Sequence, residues 1–197
     1  MFTTTFGYLD SEDRIWLSLG DETRRVWFTR RITAHLLVGM AHQLELSTPG
    51  AVAGADAPTR ARIEHQLAFN EAGSPGEADG ACDVPIRMGE ESRAESRDAS
   101  YVLCTGLQAT LRSDGVCTVQ LALEDGDDCE LQFNRAGLHR WLRGLWMAAC
   151  HARWFDPVEV PVWLRESVLP PAIQAVLRPP AAASRDNGGV GDLPTPP

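Results

Sequence analysis

A chain of 197 residues, 44% apolar and 23% charged, can build one domain with a sizeable core or two small units sharing one, and its composition is that of an ordinary globular protein. Its formal net charge of −9 argues against a general affinity for nucleic-acid phosphates, and all 18 of its Lys+Arg residues are arginine, which excludes lysine Schiff-base chemistry and a phosphate-binding loop that needs a lysine. No stretch approaches the roughly 18 apolar residues of a membrane helix, and Met1–Thr5 shows no basic region followed by an apolar run, so a cytoplasmic location is expected.

Thr3–Leu9 reads as a first strand. Ile15, Leu17 and Leu19 then alternate with Arg14, Trp16 and Ser18, the period of a half-buried strand. Gly20–Thr23 supplies a turn, and Val26 and Phe28 resume the alternation. Thr29 is placed to cap a helix, because its hydroxyl can accept from an unpaired N–H of the first turn. Ile32, Leu36, Leu37, Met40, Ala41 and Leu44 follow as one helical face, and Ser47–Gly50 ends it. Ala51–Ala57 is small and flexible. Thr59–Ala72 is expected to form a helix carrying Ile63, Leu67 and Ala68 on one side, and Gly73–Asp98, rich in Gly, Glu, Asp and Ser, a long, poorly ordered, flexible acidic loop.

The first pattern then returns. Tyr101–Leu111 is a strand closed by the turn Ser113-Asp114-Gly115. Val119, Leu121 and Leu123 alternate with polar or small residues, Glu124–Asp128 turns the chain, and Cys129, Leu131 and Phe133 continue it. Asn134 is a second helix cap, and Leu138, Trp141, Leu142, Leu145, Trp146 and Ala149 form a helical stripe. Leu17 and Leu19 lie 104 residues before Leu121 and Leu123; Val26, Phe28, Thr29, Arg30 and Leu37 lie 105 before Leu131, Phe133, Asn134, Arg135 and Leu142. The correspondence predicts an α+β fold made by internal duplication of an antiparallel β-β-β-α unit, its helices packed on the apolar sheet faces. The units are residues 1–46 and 101–178, the second with a C-terminal extension. Residues 47–100 connect them, and residues 179–197 are expected to form a disordered tail. In the extension, Pro157, Pro161, Pro170 and Pro171 limit regular structure to short pieces: an edge strand at Val158–Leu164 and a helical turn at Ala172–Leu177.

The strongest functional hint is a pair of tryptophans. Closing the first hairpin puts Leu17 opposite Val26 and Trp16 opposite Trp27, on the sheet face away from the helix; the corresponding pair in the second unit is Gln120 and Gln132. Left open, the two indoles would be a contact patch, and Arg14, Arg25 and Arg30 would rim it. They are alternatively covered by the chain itself, with the helix around Ile63 and Leu67 or the segment around Trp163 as candidates. Arg24, Arg25, Arg30 and Arg31 beside Trp27 also combine charge for phosphate with a ring for a base, as single-stranded nucleic-acid binders do. In topology alone the duplicated unit resembles the Whirly and PUR single-strand binders, without any sequence motif of those families. Local acids such as Asp21 and Glu22 are the competing partners for these arginines.

The remaining chemistry is sparse. His35, His42, His65, His139 and His151 form no metal-ligand spacing and are read as surface or rim residues. The five cysteines, Cys82, Cys104, Cys117, Cys129 and Cys150, are an odd number without a CxxC pair and argue against a disulfide framework. The acids of Glu124–Asp128 lack the later glutamate of a calcium loop. No cofactor, metal or catalytic residue is predicted. The leading expectation is a non-catalytic protein-interaction or assembly module of a bacterial cytoplasmic complex. A protein partner or homo-oligomer would contact the surface of Trp16, Trp27, Arg14, Arg25 and Arg30. The alternatives are a single-stranded nucleic-acid binder using that face, and an enzyme whose site forms only in three dimensions.

Overall fold

In a computed structural model of the chain, residues 4–19, 23–48, 54–70, 86–87, 99–154 and 160–166 are described. The fold is α+β. Strands β1 (Thr4–Leu9), β2 (Arg14–Leu19) and β3 (Arg24–Phe28) form one antiparallel meander, and β5 (Ser100–Leu111), β6 (Cys117–Leu123) and β7 (Asp128–Phe133) a second. Parallel pairing of β3 with β5, and of the short β4 (Ile86–Arg87) with β1, joins them into one seven-stranded mixed sheet in the order β4-β1-β2-β3-β5-β6-β7. Two expectations are corrected. Within the predicted loop, Ile86–Arg87 is a strand. Of the predicted edge strand Val158–Leu164 the described part, from Val160, instead leads into a helical turn over Val162–Arg165, started by Pro161, whose ring fixes φ. The expected tail at residues 179–197 and the turn at Ala172–Leu177 lie outside the described residues. No helix among the described residues is long and apolar enough to cross a membrane.

The first hairpin has the expected register, with Leu17 opposite Val26 and Trp16 opposite Trp27. The second does not. Leu121 pairs with Cys129 and Val119 with Leu131, so Gln120 faces Glu130 rather than Gln132. The cause is a tighter turn. Gly126 adopts φ 90°, which a side chain disfavours, Leu123 N–H donates to Asp127 O at 2.9 Å and Gly126 N–H returns to Leu123 O at 3.1 Å.

Helix α1 (Arg30–Ala34) passes through a π-helical turn, His35–Met40, into α2 (Ala41–Ser47). The predicted stripe Ile32, Leu36, Leu37, Met40, Ala41 and Leu44 is buried throughout. It runs over the strands of the other unit: Met40 and Leu44 meet Leu111, Cys117 and Leu138 around a small gap. The long helix α4 (Arg135–His151) crosses the other way, and its Trp141 packs on Phe6 at 5.3 Å and Phe133 at 5.2 Å. Each helix thus covers strands of the other unit, so the two units share one core. Arg24 adds a tie by pairing with Asp125 and Asp127 across units; the local acids expected for it, Asp21 and Glu22, lie outside the described residues.

Outside this layer lie α3 (Ala57–Asn70) and the short α5 (Val162–Arg165). Helix α3 packs on α4, α2 and α5 rather than on the sheet. Its inward face is Ala61, His65 and Ala68 with Glu64 beside them; Ile63 and Leu67, expected on the packed side with Ala68, are 39% and 50% exposed.

Candidate functional site

Helix α4 has two different faces. Asn134 caps it, its Oδ1 accepting from Gly137 N–H at 2.7 Å. Leu138, Trp141, Leu142, Leu145 and Ala149 then recur at helical spacing and are buried toward the core. One turn apart on the adjoining side stand Arg135, His139 and Arg143, with Arg140 beside them. The outer layer docks on this polar stripe.

Each basic residue of the stripe has a defined partner. Arg135 grips Glu64 of α3 with Nε at 2.5 Å from Oε1 and Nη2 at 2.7 Å from Oε2, and also reaches Ser47 and Thr48 at the end of α2. Arg140 donates to the carbonyl of Ala68 at 2.7 Å, near the end of α3, and Arg143 to the carbonyl of Leu164 in α5 at 2.8 Å. Such charge-assisted bonds favour one docking position over its neighbours.

At the centre, His65 Nδ1 lies 3.3 Å from His139 Nδ1, and both side chains are fully buried. Both were expected at the surface or rim; helical periodicity of apolar residues alone could not place them, because it sends polar faces outward. The Nε2 of His139 is 3.3 Å from Glu64 Oε2, although not aligned as a hydrogen bond. One proton is shared between the two Nδ1 atoms. Placing the proton of His139 on Nε2, toward Glu64, makes its Nδ1 the acceptor for His65 Nδ1–H, and the Nε2 of His65 is then an acceptor without a partner. The indole of Trp163 covers the pair at 5.1 Å from His65 and 5.2 Å from His139, and its Nε1 donates to Glu45 at 2.8 Å.

Burial sets the protonation states. It pushes His65 down to about 3, helped by the neighbouring His139 and Arg143. His139 is also lowered by burial, against the pull of Glu64. For Glu64 burial acts in the opposite sense, but the hydrogen bonds and charge of Arg135, with His139 Nε2 nearby, outweigh it and hold the carboxyl well below the usual range. The cluster therefore contains an ionised Glu64 and two neutral imidazoles.

Beside Trp163 a surface groove of about 280 Å³ is lined by Glu45, Pro58, Arg62, Val162 and Glu166, but neither histidine lines it. The Glu64–His139–His65 series is arranged like a proton relay, and Trp163 seals it from the groove. Among the described residues, no group of three or more His, Cys, Asp or Glu side chains is arranged to hold a metal ion.

The residues singled out from the sequence are only partly brought together. Trp16 and Trp27 stand side by side as the register requires, but both are buried, at 0% and 7% exposure, so the open aromatic face is not there. Trp27 stacks on Tyr101 with ring centroids 4.1 Å apart; Trp16 lies over Gly7, with the guanidinium of Arg25 5.2 Å from its ring. The covers expected for them are elsewhere, since α3 and Trp163 pack on α4. Arg14 is half-buried at the start of β2. Arg30 pairs with Asp13 at 2.5 Å and lies 5.6 Å from the ring of Trp154.

No protein-family model matches the chain, and no curated protein or solved structure is significantly similar to it.

Proposed function

We propose that the chain is a non-catalytic interaction or assembly module of a bacterial cytoplasmic complex, with its contact surface on α3 rather than on the buried Trp16 and Trp27. The inverted amphipathicity of α3 carries this reading. The helix turns Glu64 and His65 inward and leaves Ile63 and Leu67, one turn apart, outward. Water disfavours that arrangement unless a second surface covers the apolar stripe. Leu46 at the end of α2 and Val162 of α5 are exposed apolar residues on the adjoining elements. The same element order in both halves, and the matched Thr29-Arg30 and Asn134-Arg135 helix starts, support an origin by duplication.

The other two readings have less support. Trp27 has one face stacked on Tyr101 and Trp16 is sealed, which leaves neither indole free for a base. An enzyme reading is favoured only by the Glu64–His139–His65 series, whose histidines do not line the groove beside Trp163.

The test is the pair Ile63→Glu and Leu67→Glu in one variant. Half-exposed side chains contribute little to the core, so stability should change by no more than about 0.5 kcal/mol for each. The variant should lose the self-association or the cross-linked partner that the wild type shows by light scattering and cross-linking in its host. A folded variant with unchanged mass and unchanged cross-links would remove α3 as the contact surface.

A further inference from the structure

We infer that α3 and α5 form an acid-released outer layer, detached from α4 when the buried His65–His139 pair takes up protons. The inference rests on how the layer is held. The inner interface, between α4 and the sheet, is apolar and indifferent to pH. The outer one is polar, and its central contact is a single Nδ1–Nδ1 approach of 3.3 Å between two fully buried imidazoles. That contact has room for one proton. A further proton there places N–H against N–H and breaks the contact, and burial opposes charging either ring.

The surrounding charge does not relieve this. From α4, Arg135, Arg140 and Arg143 border the pair; from α3, Glu64 is the one adjoining carboxylate, and two hydrogen bonds from Arg135 already engage it. From α2, Glu45 lies beyond Trp163, holding its Nε1. On α5, Arg165 follows Leu164, and Glu166 is committed to Arg62 of α3 at 2.7 Å. Added positive charge therefore meets three arginines and one neutralised acid. Opening α3 moves both imidazoles into water.

The sign follows from linkage. The closed form keeps both histidines neutral, with His65 lowered to about 3, whereas the open form returns them to an ordinary value of 6.5. Closure is then at full strength above pH 6.5 and weakens as pH falls below it. With both sites neutral when closed and free when open, the opening equilibrium rises about 100-fold between pH 7.5 and pH 5.5, and about tenfold if only one site titrates. Glu64, held low, stays ionised across that window and does not contribute.

Hydrogen exchange of the full chain, expressed as protection factors so that intrinsic exchange cancels, reads this opening directly and needs no partner, so it is independent of the proposed contact surface. Amides of α3 and α5 should lose about 100-fold protection from pH 7.5 to pH 5.5 while β5 and β6 keep theirs. The double variant His65→Gln, His139→Gln should show no such loss, and His65→Gln alone should show about one tenth of it. The single variant keeps the test valid if the double one does not fold. Unchanged protection of α3 in the wild type would overturn the inference. So would an equal loss in the variants, because the response would then come from groups other than this pair.

Discussion

The packing of Trp16 on Gly7 predicts a mutation whose effect reverses with its background. Gly7 pairs with Trp16 across β1 and β2, and a methyl built on Gly7 would overlap the indole at Cε2, Cζ2 and Nε1. The ring cannot swing clear, because it is fully buried with Arg25 over it. Gly7 is not among the glycines with positive φ, so alanine suits its backbone and the steric conflict stands alone. Gly7→Ala should therefore cost about 1–3 kcal/mol of overpacking in the wild type. Trp16→Ala should cost about 3–5 kcal/mol by itself. With Trp16 already truncated the conflict is gone, and Gly7→Ala should become neutral or stabilise by up to about 1 kcal/mol, through the lower entropy of the unfolded chain. The coupling between the two sites is then about 1–4 kcal/mol. Urea unfolding of the four proteins, followed by circular dichroism with a common m-value, measures it. Costs that add to within about 0.5 kcal/mol would refute the placement of the indole on Gly7.

Three further outcomes follow from particular contacts. Asn134→Ala removes the 2.7 Å bond to Gly137 N–H and should cost about 1 kcal/mol in the same unfolding assay, more than Thr29→Ala, whose bond to Ile32 N–H is 3.3 Å long. Glu64→Gln leaves a half-buried Arg135 without its counter-charge and should cost about 2–3 kcal/mol at pH 7. Because the carboxyl of Glu64 is lowered from 4.5, its contribution is complete above that value and is lost as pH falls, so the gap between wild type and variant should narrow below pH 4.5. Burial pushes the thiols of Cys104 and Cys117 up to about 11, so at pH 8 a thiol reagent followed by mass spectrometry should modify exposed Cys150 before these two, which should react only on unfolding.

The sequence made the locally determined features legible and missed those decided by contacts between distant elements. Alternation and a turn set the Leu17–Val26 register, and a hydroxyl or amide before an apolar stripe set the caps at Thr29 and Asn134. Each depends on a few neighbouring residues. The second hairpin was displaced by two residues because the conformation of Gly126, invisible in an alignment of the two halves, closes the turn early. The inversion of α3 was hidden for a different reason. Periodicity assumes that an apolar face goes inward, but α4 offers its neighbour Arg135, His139 and Arg143. The one available signal was that spacing of basic residues on a helix whose other face is apolar, together with the adjacent Glu64 and His65. The burial of Trp16 and Trp27 was open in the sequence, since a strong aromatic pair is equally suited to a partner or to the chain itself.

The two interfaces of α4 differ in what they contribute. Toward the sheet it buries leucines and Trp141, each leucine providing about 1.5–3 kcal/mol with no requirement on pH. Toward α3 and α5 it offers hydrogen bonds and charge, where the net gain over water is small but a misplaced partner is costly. Such an interface determines position more than stability, so the outer layer should open well before the sheet unfolds. That separation lets α3 act as a regulated surface. A partner that covers Ile63 and Leu67 only while α3 is docked would strengthen closure by mass action, and proton uptake at His65 and His139 would weaken it. By linkage, acid should then lower the affinity of that partner by the factor by which the partner raises resistance to acid. A partner bound equally well at pH 7.5 and pH 5.5 would show that docking of α3 and recognition at Ile63 and Leu67 are independent.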